Sequence, residues 1–200
     1  MKILFAAGAM LALCAPAFAF DPTIAEIVAN MKPKAMVDTR DVAALMKGSE
    51  RWCYDEENGS CAWSDVYLDV SDAGPRVETS SEYWDDYNMY IVDKAEFQQD
   101  RYVCEYGYDW TPSIRLTRRS DGTPVNDREL DTFRVQLANN FGIDKPDCYD
   151  YLFVRADPEA NTITLLQRTW SDFVKDEGSD TPVTLHFDAA DANTLTLRAD

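Results

Sequence analysis

Aromatic and acidic side chains alternate at four positions of one short segment: Trp63, Asp65, Tyr67 and Asp69. Because successive side chains of a β-strand point to opposite faces, this spacing places all four on one face of a strand. Aromatic rings that alternate with carboxylates can stack on sugar rings, accept hydrogen bonds from hydroxyls or hold a cationic group. The pattern is compatible with a face that binds a glycan or a cation, but an ordinary exposed strand face, or a strand face buried under a helix, is the more common cause of the same alternation.

Trp84 and Asp86, in a second aromatic and acidic segment, complete the set of candidate ligand-binding residues. A glycan hydrolase would need two carboxylates roughly 5 to 9.5 Å apart. Asp65 and Asp69 lie four residues apart on a strand, which is roughly 13 Å and too far. A hydrolase would therefore have to pair Asp65 with Asp86 or Glu82.

The sequence lacks the residues of most common catalytic sites. His186 is the only histidine, so a zinc site with two or three histidines cannot form, and a Ser-His-Asp triad would depend on this residue. His186 is out of phase with the apolar residues around it, which predicts a solvent-facing strand position. Nucleophile-elbow, phosphate-loop and dinucleotide motifs are also missing. We therefore expect no catalytic residue, metal or cofactor, and favour a binding module over an enzyme.

The first 19 residues are typical of a secretory signal peptide. Lys2 precedes an apolar run at residues 3–13, and small residues stand at Ala17 and Ala19, the two positions that a signal peptidase reads. The run has about half of the roughly 20 residues needed to span a bilayer. We expect cleavage after Ala19, a single globular domain at residues 20–200, no membrane insertion, and a periplasmic or secreted product.

Four cysteines remain after residues 1–19 are removed: Cys53, Cys61, Cys104 and Cys148. An even number in an oxidising compartment predicts two disulfides, for which three connectivities are possible. A turn-like segment at residues 55–60 brings Cys53 close to Cys61. This favours a Cys53–Cys61 bridge, which leaves Cys104 to pair with Cys148.

The chain is strongly acidic, with a formal net charge of −17. Lys2 is the only charged residue of the predicted signal, so the remaining chain carries 18 basic and 36 acidic side chains, a net charge of −18. A field of this sign repels phosphate backbones and anionic lipids, which argues against nucleic-acid and membrane-surface partners. Cationic proteins, metal ions and neutral ligands such as glycans remain, and the charge also serves solubility.

Two short helices are predicted at the start of the domain. Asp21 and Pro22 form a cap and first-turn pair, followed by apolar residues at helical spacing. Asp38 or Thr39 can cap a second helix, and Gly48 lies where a left-handed terminating residue is expected.

One further helix is predicted at residues 126–141. Asn126 and Glu129 resemble a capping box, apolar residues follow at steps of three and four, and Gly142 ends the pattern. We expect this helix to pack across a sheet.

Most of the remaining chain alternates with the period of a strand. The predicted strands are residues 61–70, 87–92, 101–108, 113–118, 149–155, 162–170, 183–187 and 194–198. Their number and brevity indicate an α+β fold that is mainly antiparallel, either a meander sheet or a barrel-like sheet.

Two further groups of residues have a structural interpretation. Tyr102, Tyr106, Tyr108 and Trp110 share the phase of a disulfide cysteine, which favours a buried aromatic ladder. The basic cluster of Arg115, Arg118 and Arg119 is expected to pair with acids of the same chain.

The sequence thus predicts an exported acidic binding or interaction module. The alternatives are an inhibitor or partner of a cationic exported protein, a carboxylate-based glycan hydrolase and a structural protein of the envelope. The position of residues 63–69 bears on this choice. In a ligand-binding protein their aromatic and acidic face should line a concave surface. If the helix at residues 126–141 covers that face, the residues belong to the core instead.

Overall fold

The structure, a computed structural model, describes residues 20–83, 86–140 and 147–199, with the side chains of residues 138–140 left out. The predicted signal peptide with its cleavage site lies outside the described residues. So does Gly142, the predicted end of the third helix.

Eight antiparallel strands of the described ranges form a closed barrel. In chain order they are β2 (Arg51–Tyr54), β4 (Trp63–Val70), β5 (Pro75–Tyr83), β6 (Tyr87–Gln98), β7 (Tyr102–Glu105), β9 (Asp147–Asp157), β10 (Thr162–Ser171) and β12 (Thr181–His186). Each strand pairs with the next one in this order, and β12 pairs with β2, so the sheet closes on itself. The antiparallel meander is confirmed in its barrel-like form.

Short elements surround the barrel. β1 (Met36–Val37) pairs with β9, β8 (Arg115–Arg118) pairs with β6, and β11 (Val174–Lys175) pairs with β10. β3 (Ser60–Cys61) and β13 (Thr196–Leu197) form a separate parallel pair. The described helices are α1 (Pro22–Asn30), α2 (Thr39–Gly48), α3 (Asp127–Asn140) and α4 (Ala189–Ala192), with a 3-10 turn at Thr111–Ser113. Across the described ranges, no helix has both the length and the apolar character that crossing a membrane requires.

β5 was not among the predicted strands. Its sequence begins with Pro75 and is polar at most positions, including Glu78, Ser80 and Glu82. Alternation fails as a signal here because both faces of the strand carry polar groups: Ser80 on one face is buried and forms a hydrogen bond with Ser64, and Thr79 on the other face lines the cavity described below.

The helices α1 and α2 start where the sequence predicts. The Asp21 carboxylate accepts hydrogen bonds from the backbone N–H groups of Thr23 and Ile24, and the Asp38 carboxylate accepts one from Asp41. Gly48 does not have a left-handed conformation, and that prediction is wrong. An added Cβ at Gly48 would lie 3.0 Å from Ile24 Cδ1, so the glycine instead permits the close packing of the two helices.

α1 and α2 close one end of the barrel. Ile24 and Leu45 belong to a buried cluster with Trp52, Phe153 and Leu165, which point into the barrel. These apolar contacts fill the interior at this end.

α3 packs on β6 and β8 and away from the aromatic and acidic face of β4. The Asn126 side chain accepts a hydrogen bond from the backbone N–H of Glu129, as the predicted cap requires. Phe133 contacts the rings of Tyr83 and Tyr87, with centroid distances of 6.0 and 5.3 Å. The helix therefore covers neither Asp65 nor its neighbours on β4.

Both disulfides have the predicted connectivity, Cys53–Cys61 and Cys104–Cys148. Cys104 and Cys148 are directly paired in the β7–β9 ladder. This bridge ties the strands together beside the cavity described below.

The arginine cluster is paired internally, as predicted. Arg115 contacts Glu78, Arg119 contacts Glu82, and Arg118 lies 2.9 Å from the Glu129 carboxylate.

His186 is buried, which contradicts the predicted solvent-facing position. It is 7% exposed, and its Nε2 lies 3.0 Å from a carboxylate oxygen of Glu56. The turn between β2 and β3 supplies Glu56 and lies against this outer face, a contact between residues distant in sequence that strand alternation cannot reveal.

Candidate functional site

A cavity of about 740 Å³ occupies the barrel at the end opposite to α1 and α2. Its walls include the strand ends farthest from those helices: Tyr54 at the end of β2, Trp63 at the start of β4, Glu105 at the end of β7 and Asp147 at the start of β9. The segment after β7, residues 106–111, also lines it. Eight-stranded barrels are wide enough to hold one small ligand, and ligand pockets usually measure about 300–1,000 Å³.

Three of the predicted ligand-binding residues line this cavity: Trp63, Asp65 and Tyr67. Alternation along β4 directs them to the barrel interior and leaves Ser64 and Val66 on the other face. The first half of this strand thus presents its aromatic and acidic face to a concave surface.

Asp69 does not line the cavity, because the ladder between β4 and β5 shifts register at this point. Tyr67 pairs with Val77, whereas Asp69 pairs with Arg76, so Leu68 is an extra residue on β4. This bulge reverses the phase of the strand. Leu68 and Asp69 are both exposed, Leu68 at 44%, and the prediction that one face carries all four residues is wrong.

The second predicted segment contributes no described residue to the cavity. Asp86 is exposed and is not among the lining residues, and Trp84 lies outside the described residues. Glu82 forms an ion pair with Arg119 and does not line the cavity. The carboxylate pairs that a hydrolase was expected to use, Asp65 with Asp86 or Glu82, are therefore not brought together.

Asp65 is fixed by two hydrogen bonds inside the cavity wall. The Tyr54 hydroxyl donates to Oδ2 over 2.8 Å, and the Thr79 hydroxyl donates to Oδ1 over 2.7 Å. Burial raises the pKa of Asp65 to about 6, although both hydrogen bonds favour the ionised form. The ring of Tyr54 stacks on Trp63 with a centroid distance of 4.7 Å, which ties the carboxylate to the aromatic wall.

Four more acids line the cavity that sequence reasoning missed: Asp93 on β6, Glu105 on β7, Asp109 in the segment after β7 and Asp147 on β9. Glu105 and Asp147 are directly paired in the β7–β9 ladder, so their side chains lie on the same face. Asp93 alternates with the apolar residues Ile91 and Ala95, which also line the cavity. In the sequence, Asp93 could have been recognised as an inward-facing acid because it has the same strand phase as Ile91 and Ala95.

Burial and like charges act together on Glu105. They raise the pKa of Glu105 from its ordinary value of 4.5 to about 8; burial is the largest cause, followed by the charges of Asp93, Asp65 and Asp147. The Tyr149 hydroxyl donates a weak hydrogen bond to Glu105 Oε2 over 3.4 Å. Burial also raises the pKa of Asp93. The cavity therefore holds carboxyl groups that resist ionisation as long as no positive charge is near, and none of the described residues that line it supplies one.

Aromatic rings form much of the remaining wall. Tyr54, Tyr67, Tyr149 and Tyr151 come from the strands, and Tyr106, Tyr108 and Trp110 come from the segment after β7. Burial raises the pKa of the Tyr54, Tyr67 and Tyr149 hydroxyls well above 10, so all three rings stay neutral.

The predicted buried ladder of Tyr102, Tyr106, Tyr108 and Trp110 is wrong beyond its first member. β7 ends at Glu105, and the chain then turns so that the later rings reach the cavity; Tyr106 and Tyr108 are each 37% exposed. Tyr102 alone is buried on the outer face, where its ring lies 5.6 Å from that of Trp170.

The acids of the cavity have no counter-charge in the described part of the chain. No lysine, arginine or histidine of these ranges lines the cavity. None of Asp65, Asp93, Glu105 and Asp147 forms an ion pair with another described residue. Nor do any three described histidine, cysteine, aspartate or glutamate side chains form a group that could hold a metal ion.

Comparison of the chain with protein-family models, with curated proteins and with solved structures finds no match in any of the three. The fold is therefore described from its own strand order, and the function is inferred from the side chains that line the cavity.

Proposed function

We propose that this protein binds a small molecule inside the open end of its barrel. The observation that carries the proposal is the cavity of about 740 Å³, which is enclosed by barrel strands and lined by aromatic and polar side chains. Ligand pockets combine apolar walls with a few fixed polar groups in this way.

A space that results only from poor packing would be lined by apolar residues, but this cavity is lined by acidic side chains as well. Carboxyl groups that are withdrawn from water, such as the buried Asp65 and the partly buried Glu105, lower the stability of the fold unless they are compensated. Apolar residues in their place would stabilise the barrel, as Trp52 and Leu165 do at the closed end. A binding role accounts for this cost, because residues that hold a ligand are commonly suboptimal for stability.

We also infer that the protein works outside the cytoplasm, in a bacterial periplasm or as a secreted protein. The two disulfides support this, because such bridges persist in oxidising compartments. The signal-like character of residues 1–19 points to the same compartments.

A glycan hydrolase is the second candidate. It is favoured by Glu105, whose pKa of about 8 would keep a general acid protonated at neutral pH beside a second acid, Asp147. The two functions differ in turnover. Hydrolysis of glycan substrates that is lost in both Glu105→Gln and Asp147→Asn would favour the hydrolase; binding without product formation would favour the binding protein.

The binding proposal is tested by filling the cavity. Thr169 on β10 lines the cavity, whereas Thr164 lies on the same strand with its side chain on the outer face, near Arg155. Thr169→Trp should weaken binding of the neutral dye Nile red at least tenfold, and Thr164→Trp should leave it within twofold. Dye emission measures binding, and circular dichroism verifies that both variants are folded. Undetectable dye binding to the unmodified protein, or equal binding to both variants, would contradict the proposal.

A further inference from the structure

We propose that the ligand of the cavity is an organic cation, an ammonium-bearing molecule whose apolar part packs against the aromatic wall. This inference rests on the proposed binding function and names the chemical class of its ligand.

The acidic residues of the cavity favour a positively charged ligand. Asp65, Asp93, Glu105 and Asp147 reach the cavity from four different strands, and no described cation lines it. Asp65 and Asp93 are buried there and Glu105 is partly buried, so carboxylates at these three positions lose hydration and repel one another when no positive charge is near. A cation in the cavity would remove both penalties, whereas an anion would add to them.

Asp93 supplies a second, independent observation. Its side chain lines the cavity although the residue is only 9% exposed. Its Oδ1 accepts a hydrogen bond from the backbone N–H of Lys94, and no described residue donates to its Oδ2. A carboxylate oxygen that faces the cavity and receives no hydrogen bond from the described protein is available to a positively charged group of a ligand.

The aromatic residues match the same kind of ligand. Ammonium groups bind over the faces of tyrosine and tryptophan rings, with the strongest attraction where water is excluded. Lys94 already makes such a contact on the segment after β7, where its Nζ lies 4.8 Å from the ring centroid of Tyr108. Tyr67 and Tyr149 add neutral ring surface inside the cavity that an apolar ligand body can cover.

Two other cation classes fit less well. A divalent metal ion would require several acidic ligands grouped around one point, and no such group of three is found among the described residues. A cationic protein side chain would have to reach the cavity from outside, and a partner of this kind would leave most of a 740 Å³ space empty. A free organic cation can fill the space and meet the acids.

The test compares two molecules of the same shape that differ in charge, phenyltrimethylammonium and tert-butylbenzene, as competitors of Nile red at pH 8.5. The cation should displace the dye at a concentration at least tenfold lower than its neutral counterpart. The double variant Asp93→Asn/Glu105→Gln should reduce this preference to less than threefold.

The matched control is Asp69→Asn/Asp86→Asn, which removes two negative charges from exposed positions outside the cavity. It should retain the tenfold preference. If the two double variants lose the preference equally, the net charge of the protein would explain it and the inference would be wrong. Equal displacement by both competitors would also overturn the inference while leaving small-molecule binding intact, whereas failure of Nile red to bind would instead refute the proposed function.

Discussion

The two ends of the barrel are formed by the same eight strands but contain different chemistry. At the closed end, Trp52, Phe153 and Leu165 pack against the helices α1 and α2. At the open end the inner face of the barrel carries Asp65 on β4 and Glu105 on β7, together with tyrosines and tryptophans. The barrel interior therefore differs between its ends: apolar residues stabilise the fold at the closed end, whereas acidic residues line a cavity at the open end.

The largest expected difference between the ends is in stability. Trp52 is fully buried, and its ring contacts those of Tyr67 and Tyr151, with centroid distances of 5.1 and 5.3 Å. Trp52→Ala should lower the free energy of unfolding by about 3–5 kcal/mol, as for other buried aromatic residues. Trp63→Ala, the same change at the open end, should cost less than about 2 kcal/mol and instead weaken dye binding. Urea unfolding measures both values, and an equal cost for the two variants would contradict the division between the ends.

The affinity of the open end for a cation should depend on pH. Phenyltrimethylammonium has no titratable group, so any pH dependence of its binding reflects the protein. As the pH falls through about 8 and then about 6, Glu105 and Asp65 take up protons and lose the charge that attracts the cation. The affinity should fall at least tenfold between pH 8.5 and pH 5, as measured by isothermal titration calorimetry. Affinity that is constant over this range would show that neither carboxylate contacts the cation.

A smaller effect is expected on the stability of the ligand-free protein. The pKa of Glu105 is higher in the folded state, so between about pH 4.5 and pH 8 the folded state binds more protons than the unfolded state. The stabilisation due to protonated Glu105 is complete below pH 4.5 and is lost as the pH rises to 8. Gln cannot ionise, so the Glu105→Gln variant avoids the destabilisation that ionised Glu105 causes at high pH. Its Tm at pH 8 should be about 3–6 °C higher, equivalent to about 1–2 kcal/mol. At pH 4.5 the two proteins should differ by less than 1 °C. A Tm difference that does not depend on pH would refute the assignment of the raised pKa to Glu105.

Local patterns in the sequence predicted short-range features of the fold better than they predicted the cavity at the open end. The helix caps at Asp21 and Asp38 depend on a few neighbouring residues, and the turn between Cys53 and Cys61 brings those cysteines together within the same short segment. The meander also follows from local alternation, because each barrel strand pairs with the next one along the chain.

The open end could be predicted only in part, because its faces are defined by barrel closure. Trp63, Asp65 and Tyr67 were identified from alternation, but the bulge after Tyr67 moved Asp69 out of the set. Glu105 was overlooked because it follows directly after Cys104, whose phase determined how that segment was interpreted. Which face of β7 points inward depends on its pairing with β9, and Asp147 is far from β7 in sequence. No local pattern contains that information.

The most direct test of the central claim is a crystal structure of the protein with phenyltrimethylammonium at pH 8.5. We expect the ligand to lie inside the barrel, with its nitrogen within about 6 Å of a ring centroid and close to the carboxylates of Asp93 and Glu105. A ligand bound only on the outer surface, or a cavity that stays empty at saturating ligand concentration, would contradict it.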